Sequence, residues 1–232
     1  MINHQRSRRY VVLITLAVTL CAPKVMAFSF GNLMGTMGGG SADTSADDPD
    51  AFVQSVRAVG KLMDKSTSRL VHCLADKESI TMIEKDKKAA NEVADPEERR
   101  AKLMEVEKHR QAVLNEILRN DRLMAEIQNM DADQKTELGA AAFNFTLALL
   151  RGKALMEQSE TLISNMSSNP AMQSTLGNVK EAASSVSNQV SSASTIADRL
   201  SGIFPAVGIS GPISKDESPK ITTAVPGHQA TP

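Results

Sequence analysis

The chain has 232 residues, with 26 Lys and Arg against 27 Asp and Glu, a formal net charge of −1, and only 3% aromatic residues. Without a basic stripe interleaved with aromatic side chains, the composition disfavours nucleic acid as a partner. Only one of the two cysteines lies after residue 27, and one is too few for a zinc knuckle or a c-type haem attachment site.

Residues 1–27 have the order of a cleavable secretory signal peptide. A basic head precedes an apolar run over residues 10–21, and the small side chains of Val25 and Ala27 suit cleavage after Ala27. The apolar run is shorter than the roughly 20 residues that a membrane anchor requires. The sequence therefore predicts export to the periplasm or the exterior.

Two other export signals remain as alternatives. Cys21 would suit a lipoprotein, but the bulky Leu20 before it disfavours a lipid-anchor site. Arg8 and Arg9 resemble a twin-arginine signal, which Lys24 near the cut supports, whereas the strongly apolar run favours the general secretory route. Cleavage would remove four of the 26 basic residues and none of the 27 acidic ones, leaving a net charge near −5.

The segment 28–47 is rich in glycine, which indicates a flexible leader. Its apolar side chains make it a candidate contact segment for a partner or a membrane. These side chains are Phe28, Phe30, Leu33, Met34 and Met37.

Residues 48–201 carry helix signals throughout. Asp48, Asp95 and Asn169 each precede a proline, and a capping side chain before proline is typical of a helix start. Asp131 has Gln134 three residues on, which is capping-box spacing. Four starts are thus marked, and a break in the first helix near residues 76–79 is left open.

Apolar residues at a period near 3.5, together with short connections, predict how these helices pack. The expected fold is all-α: an elongated antiparallel bundle of about four long helices, each roughly 30 residues, with heptad-like packing. The second helix is expected to continue through Met124 and Ile127. From residue 202 to 232, glycine, proline and polar residues predict a disordered tail.

No catalytic, metal-binding or cofactor-binding constellation is recognisable. His72 and His109 lack the Glu-x-x-His spacing of metal sites in helix bundles, so an exported enzyme built on them is the least favoured function. Cys73, the single cysteine of the processed chain, is either a small buried hydrophobe or an intermolecular thiol.

Residues 138–150 contain no charged side chain, and this run includes Phe143 and Phe145. It is either the buried centre of a bundle helix or a membrane-inserting segment of the kind found in helical pore-forming toxins. We therefore expect a non-enzymatic interaction or structural protein of a bacterial envelope, such as an accessory subunit of a surface or secretion assembly. Its expected partner is a protein or a second copy. The alternative is a membrane-active or lipid-binding protein.

Overall fold

The computed structural model describes residues 48–220, all of which belong to one compact unit. These residues form an all-helical structure without a β-strand, as the sequence predicts. The expected signal peptide and leader lie outside the described residues. The helices are α1 Pro49–Leu74, α2 Lys77–Asn91, α3 Pro96–Ile117, α4 Leu123–Asn129, α5 Ala132–Ser168 and α6 Gln173–Ser201.

The predicted helix starts are confirmed by their capping hydrogen bonds. The Asp48 carboxylate accepts from the backbone N–H groups of residues 50 and 51, and Asp95 does the same for residues 97 and 98. Asp131 and Gln134 form a reciprocal capping box at the start of α5. Asn169 instead caps the short 3₁₀ helix Pro170–Met172, and α6 follows it. In each case the side chain satisfies an N–H group that has no partner within its helix.

The first helix breaks near residues 76–79, where the sequence left open whether it continues: α1 ends at Leu74 and α2 begins at Lys77. Asp76 begins α2 by accepting a hydrogen bond from the Ser79 N–H at 2.7 Å. This bond also lowers the pKa of Asp76 below its ordinary value, since it stabilises the carboxylate.

The predicted continuity of the second helix is wrong. The helix ends at Ile117, and α4 begins at Leu123 after a turn in which the Asn120 side chain accepts from the Arg122 N–H. A side chain that bonds the nearby backbone competes with helical hydrogen bonds, which explains the interruption. The expectation of about four helices of roughly 30 residues is thereby replaced by six helices of unequal length.

Helix α5 lies at the centre of the hydrophobic core and packs against both α1 and α6, which also contact each other. Gly152 of α5 allows this close approach. A Cβ placed on it would lie 2.8 Å from Val190 of α6 and 3.7 Å from Val59 of α1. Helices α2 and α3 pack on each other, and α3 also contacts α1.

The predicted disorder of residues 202–232 is wrong for its described part. Residues 204–207 form a 3₁₀ helix, and Ile203, Val207 and Ile209 are buried in the core. Three apolar side chains at a spacing that faces the bundle offset the polar, glycine-rich composition of this segment. Residues 221–232 lie outside the described part of the chain.

Candidate functional site

The uncharged run of α5, residues 138–150, is the buried centre of the helix. All but two of its residues are buried, and Phe143 and Phe145 are 4% and 1% exposed. The two phenylalanines that the sequence offered as contact residues are therefore core residues here. None of the helices among residues 48–220 combines the length and hydropathy needed to cross a bilayer.

One polar side chain lies within this apolar run. Asn144 is 5% exposed, and its amide makes two hydrogen bonds to a single residue far along the chain. The side-chain nitrogen donates to the Lys220 carbonyl oxygen at 2.8 Å, and the side-chain oxygen accepts from the Lys220 N–H at 2.8 Å. Both hydrogen-bonding groups of a buried amide are thus satisfied by one stretch of backbone.

We call residues 209–220 the C-terminal strap, because they cross α5 at this point. About two turns further along α5 from Asn144, Arg151 donates from Nε to the Lys215 carbonyl at 2.9 Å and from Nη2 to the Glu217 carbonyl at 2.8 Å. The Lys220 ammonium lies 4.4 Å from the centre of the Phe143 ring, within the range of a cation–π contact. Phe143, Asn144 and Arg151 are therefore the residues of α5 that hold the strap, and we call the surface they line the α5 groove.

Sequence reasoning did not identify the α5 groove. Its available signal was Asn144 itself, since a lone amide in an uncharged apolar run needs a hydrogen-bond partner when buried. That partner could not be predicted from the residues near Asn144, because it lies 76 residues further along the chain.

Cys73 is partly buried, and no disulfide involves it. Burial, together with the negative charge of Glu137, raises the pKa of this thiol to about 11, while Arg69 opposes the rise. A thiol with this pKa is almost entirely protonated near neutral pH, and the thiolate is the nucleophile in disulfide formation. The surroundings of Cys73 thus favour its interpretation as a small packed side chain over that as an intermolecular thiol.

The two histidines each face one carboxylate of α2 in separate pairs. His72 Nε2 lies 3.7 Å from Glu84, and His109 Nδ1 lies 3.5 Å from Asp86. Among residues 48–220, no group of three or more His, Cys, Asp and Glu side chains is arranged to hold a metal ion. The pairs link α1 and α3 to α2.

A buried arginine connects α3 to α1. Arg110 is 5% exposed, and its guanidinium forms ion pairs with Asp64 of α1 and Glu107 of its own helix. Gln111 donates a further hydrogen bond to Glu107 at 3.1 Å. In the sequence, Arg110 is a polar residue between the apolar Val106 and Val113, and the structure places it in a charge cluster.

The candidate contact residues of the leader lie outside the described residues, so the structure places none of them beside the α5 groove. Within residues 48–220, the exposed large hydrophobic side chains are Met82, Met104 and Met124. The comparisons with known proteins found no matching family model, curated protein or solved structure.

Proposed function

We propose that this chain is an exported, non-enzymatic helical protein of a bacterial envelope that works by binding a protein partner, as an accessory subunit of a surface or secretion assembly. The signal-like order of residues 1–27 supports export. The described histidines, the cysteine and the buried arginine all have packing or pairing roles in the fold, which supports a binding role over catalysis.

The observation that carries the proposal is how little α2 and α3 contribute to the core. Helix α3 buries only Arg110 and Leu114, and α2 buries only Ile83 and Ala90. Long helices with so little burial are marginal by themselves, since packing supplies most helical stability in proteins. A partner that covers part of the α2–α3 pair would supply the missing burial.

Two exposed methionines mark a surface for that contact. Met82 on α2 is 46% exposed, and Met104 on α3 is 63% exposed. Methionine is flexible and polarisable, and it adapts to the shape of a partner better than branched side chains do. Dense charges of both signs surround these residues in the sequence, which would favour a partner with an equally mixed surface.

We further propose that α1 and α5 form an antiparallel base for this pair. Arg69 near the end of α1 lies 3.6 Å from Glu137 near the start of α5. Earlier in α1, Val59 lies beside Gly152, which is later in α5. The two contacts support opposite chain directions for α1 and α5.

Photo-crosslinking in the producing cells tests the proposed function. A benzophenone amino acid is placed at Met82 or at Met104, and at the exposed Thr161 of α5 as the control. We expect a discrete crosslinked protein from the first two positions and none from Thr161. Absence of any discrete product, combined with a strictly monomeric mass, would contradict the proposal. Flotation with liposomes and release of a trapped dye would favour the membrane-active alternative instead.

A further inference from the structure

The α5 groove binds the main chain of the strap. In an extended strand, the N–H and C=O of one residue point to the same side, and an adjacent strand pairs with both. Asn144 reproduces this pairing with Lys220, donating to its carbonyl and accepting from its N–H, each at 2.8 Å. The amide thus takes the place of a neighbouring strand and requires no particular side chain at the residue it holds.

Arg151 recognises the strap in the same way. Its two donors bind the carbonyl oxygens of Lys215 and Glu217, at 2.9 and 2.8 Å. Every residue has a carbonyl group, so these bonds depend on the path of the bound backbone and not on the identity of its side chains. Selectivity comes from Phe143, whose ring lies 4.4 Å from the Lys220 ammonium and favours a cation at that position.

Beyond its buried first residue, Ile209, the strap is lightly attached. The side chains of residues 214–218 are exposed, and Ile213 and Pro219 are only half-buried. Gly208 and Gly211, with φ of 74° and 86°, lie at the point where the strap leaves the 3₁₀ helix. Most of its attachment to α5 therefore consists of main-chain bonds that another peptide can reproduce.

Asn144 also favours an occupied groove. It is 5% exposed, and its two hydrogen bonds to Lys220 are the ones that satisfy its amide. If the strap left, the Asn144 amide would be exposed to water, and it would exchange both hydrogen bonds to the backbone for hydrogen bonds to water, which is a small net loss. A peptide with a free N–H and C=O restores the two hydrogen bonds to backbone.

We propose that the α5 groove is a peptide-binding site for an extended segment bearing a lysine, filled by the strap in the isolated chain and by a segment of a partner protein in the assembly. The inference rests on the proposed function in one respect, since it takes the partner to be a protein. Main-chain bonds from Asn144 and Arg151 hold the incoming segment, and Phe143 receives its cation.

The test weakens the strap within the full chain and leaves the groove unaltered. Lys220→Pro removes both the N–H that Asn144 accepts and the ammonium over Phe143. The probe is a fluorescein-labelled peptide with the sequence of residues 213–222, and binding is followed by fluorescence anisotropy. Because the intramolecular strap competes at a high effective concentration, we expect the variant to bind the probe at least about tenfold more tightly than the unaltered chain does.

Two matched controls locate binding in the groove. Adding Asn144→Ala to the Lys220→Pro chain is expected to weaken probe binding by about tenfold or more. A probe with glutamate in place of its second lysine is expected to bind similarly weakly, because the cation over Phe143 is lost. Circular dichroism checks that each chain is folded. The milder Lys220→Met, which keeps the N–H, is expected to give an intermediate affinity.

No saturable binding by a folded Lys220→Pro chain, or binding that Asn144→Ala leaves unchanged, would overturn the inference. A stable dimer of the unaltered chain that the Asn144→Ala substitution abolishes would assign the groove to a second copy and overturn the assignment to a separate partner. These measurements use no partner from the cell. A negative result would therefore refute only the peptide-binding site in the α5 groove. It would leave the proposed function, which the crosslinking experiment tests, unaffected.

Discussion

Gly139 of α5 lies against the backbone of Val207: a Cβ placed on the glycine would stand 2.5 Å from the Val207 carbonyl oxygen. The 3₁₀ helix Phe204–Val207 therefore packs with its main chain directly on α5, and any side chain at residue 139 would push it away. This contact fixes the point from which the strap crosses the α5 groove.

Gly139→Ala is expected to destabilise the protein by about 1–3 kcal/mol, since a backbone oxygen cannot move aside as a flexible side chain can. Urea unfolding followed by circular dichroism measures the change. Gly177→Ala in α6 is the matched control, because nothing lies within 4 Å of the Cβ position there. That substitution should stabilise the helix by about 0.5–1 kcal/mol. Equal effects at the two glycines would refute the close contact.

Asn144→Ala is expected to loosen the strap while the bundle stays folded. It removes two hydrogen bonds, each worth about 1 kcal/mol net, so opening of the strap should increase by roughly ten- to thirtyfold. Trypsin cleavage after Lys215 and hydrogen exchange over residues 213–220 report this opening. Thr146→Ala is the control, because the Thr146 hydroxyl bonds only the Ala142 carbonyl of its own helix among the hydrogen bonds described. Cleavage as slow as in the unaltered chain would argue against the role of Asn144.

The helix starts were predictable because their causes are local. Asp48 and Asp95 bond N–H groups two and three residues ahead, and the proline after each aspartate occupies a position that needs no donor. A sequence displays such relationships directly. The break after Ile117 was missed because the apolar spacing continues through it to Ile127, and periodicity alone does not show a turn.

The strap could not be predicted because its contacts are distant in sequence. Gly208, Gly211 and Pro212 give the segment the composition of a disordered tail, yet Ile209 is buried and Lys220 binds a residue 76 positions earlier. The α5 groove could not be predicted for the same reason. Phe143 was identified as part of the uncharged run 138–150, but nothing near it in sequence indicates the backbone that covers it.

Cys73 is expected to react slowly with alkylating reagents in the folded protein. With a pKa raised from 9.0 to about 11, its thiolate fraction at pH 8 is about 100-fold lower than in the unfolded chain, at one factor of ten per pKa unit. Iodoacetamide labelling of a Cys21→Ser chain, with and without urea, measures the ratio. Labelling at similar rates in both states would show that Cys73 is not held as the structure describes.

The same pKa gives a pH dependence of stability. Well below pH 9 the thiol is almost entirely protonated in both states, so Cys73 adds little pH dependence there. Between pH 9 and about 11 the unfolded chain releases the proton first, which favours unfolding, and stability falls as pH rises. Thermal melts of the unaltered chain and of Cys73→Ala isolate this effect. The melting temperature of the unaltered chain, relative to Cys73→Ala, is expected to decrease over that interval.

Arg110 is expected to contribute to stability by linking α3 to α1. The buried guanidinium pairs with Asp64 and Glu107, and both carboxylates keep access to solvent, with side-chain exposures of 58% and 33%. Because these carboxylates can be rehydrated when the arginine is lost, the cost should fall below the 3–5 kcal/mol typical of a broken, fully buried pair. We expect Arg110→Ala to destabilise the protein by about 1–3 kcal/mol in urea unfolding, through lost packing as well as lost charge.

Arg110→Met separates these two contributions. Methionine fills much of the same space without a charge, so it should retain part of the stability that alanine loses. Lys102→Ala is the surface control, since Lys102 and Glu98 form an exposed pair at 3.0 Å that should contribute no more than about 0.5 kcal/mol. If Arg110→Ala cost no more than Lys102→Ala, the charge cluster would not hold α3 to α1. The α2–α3 pair would then depend on its remaining contacts alone for its attachment to the core.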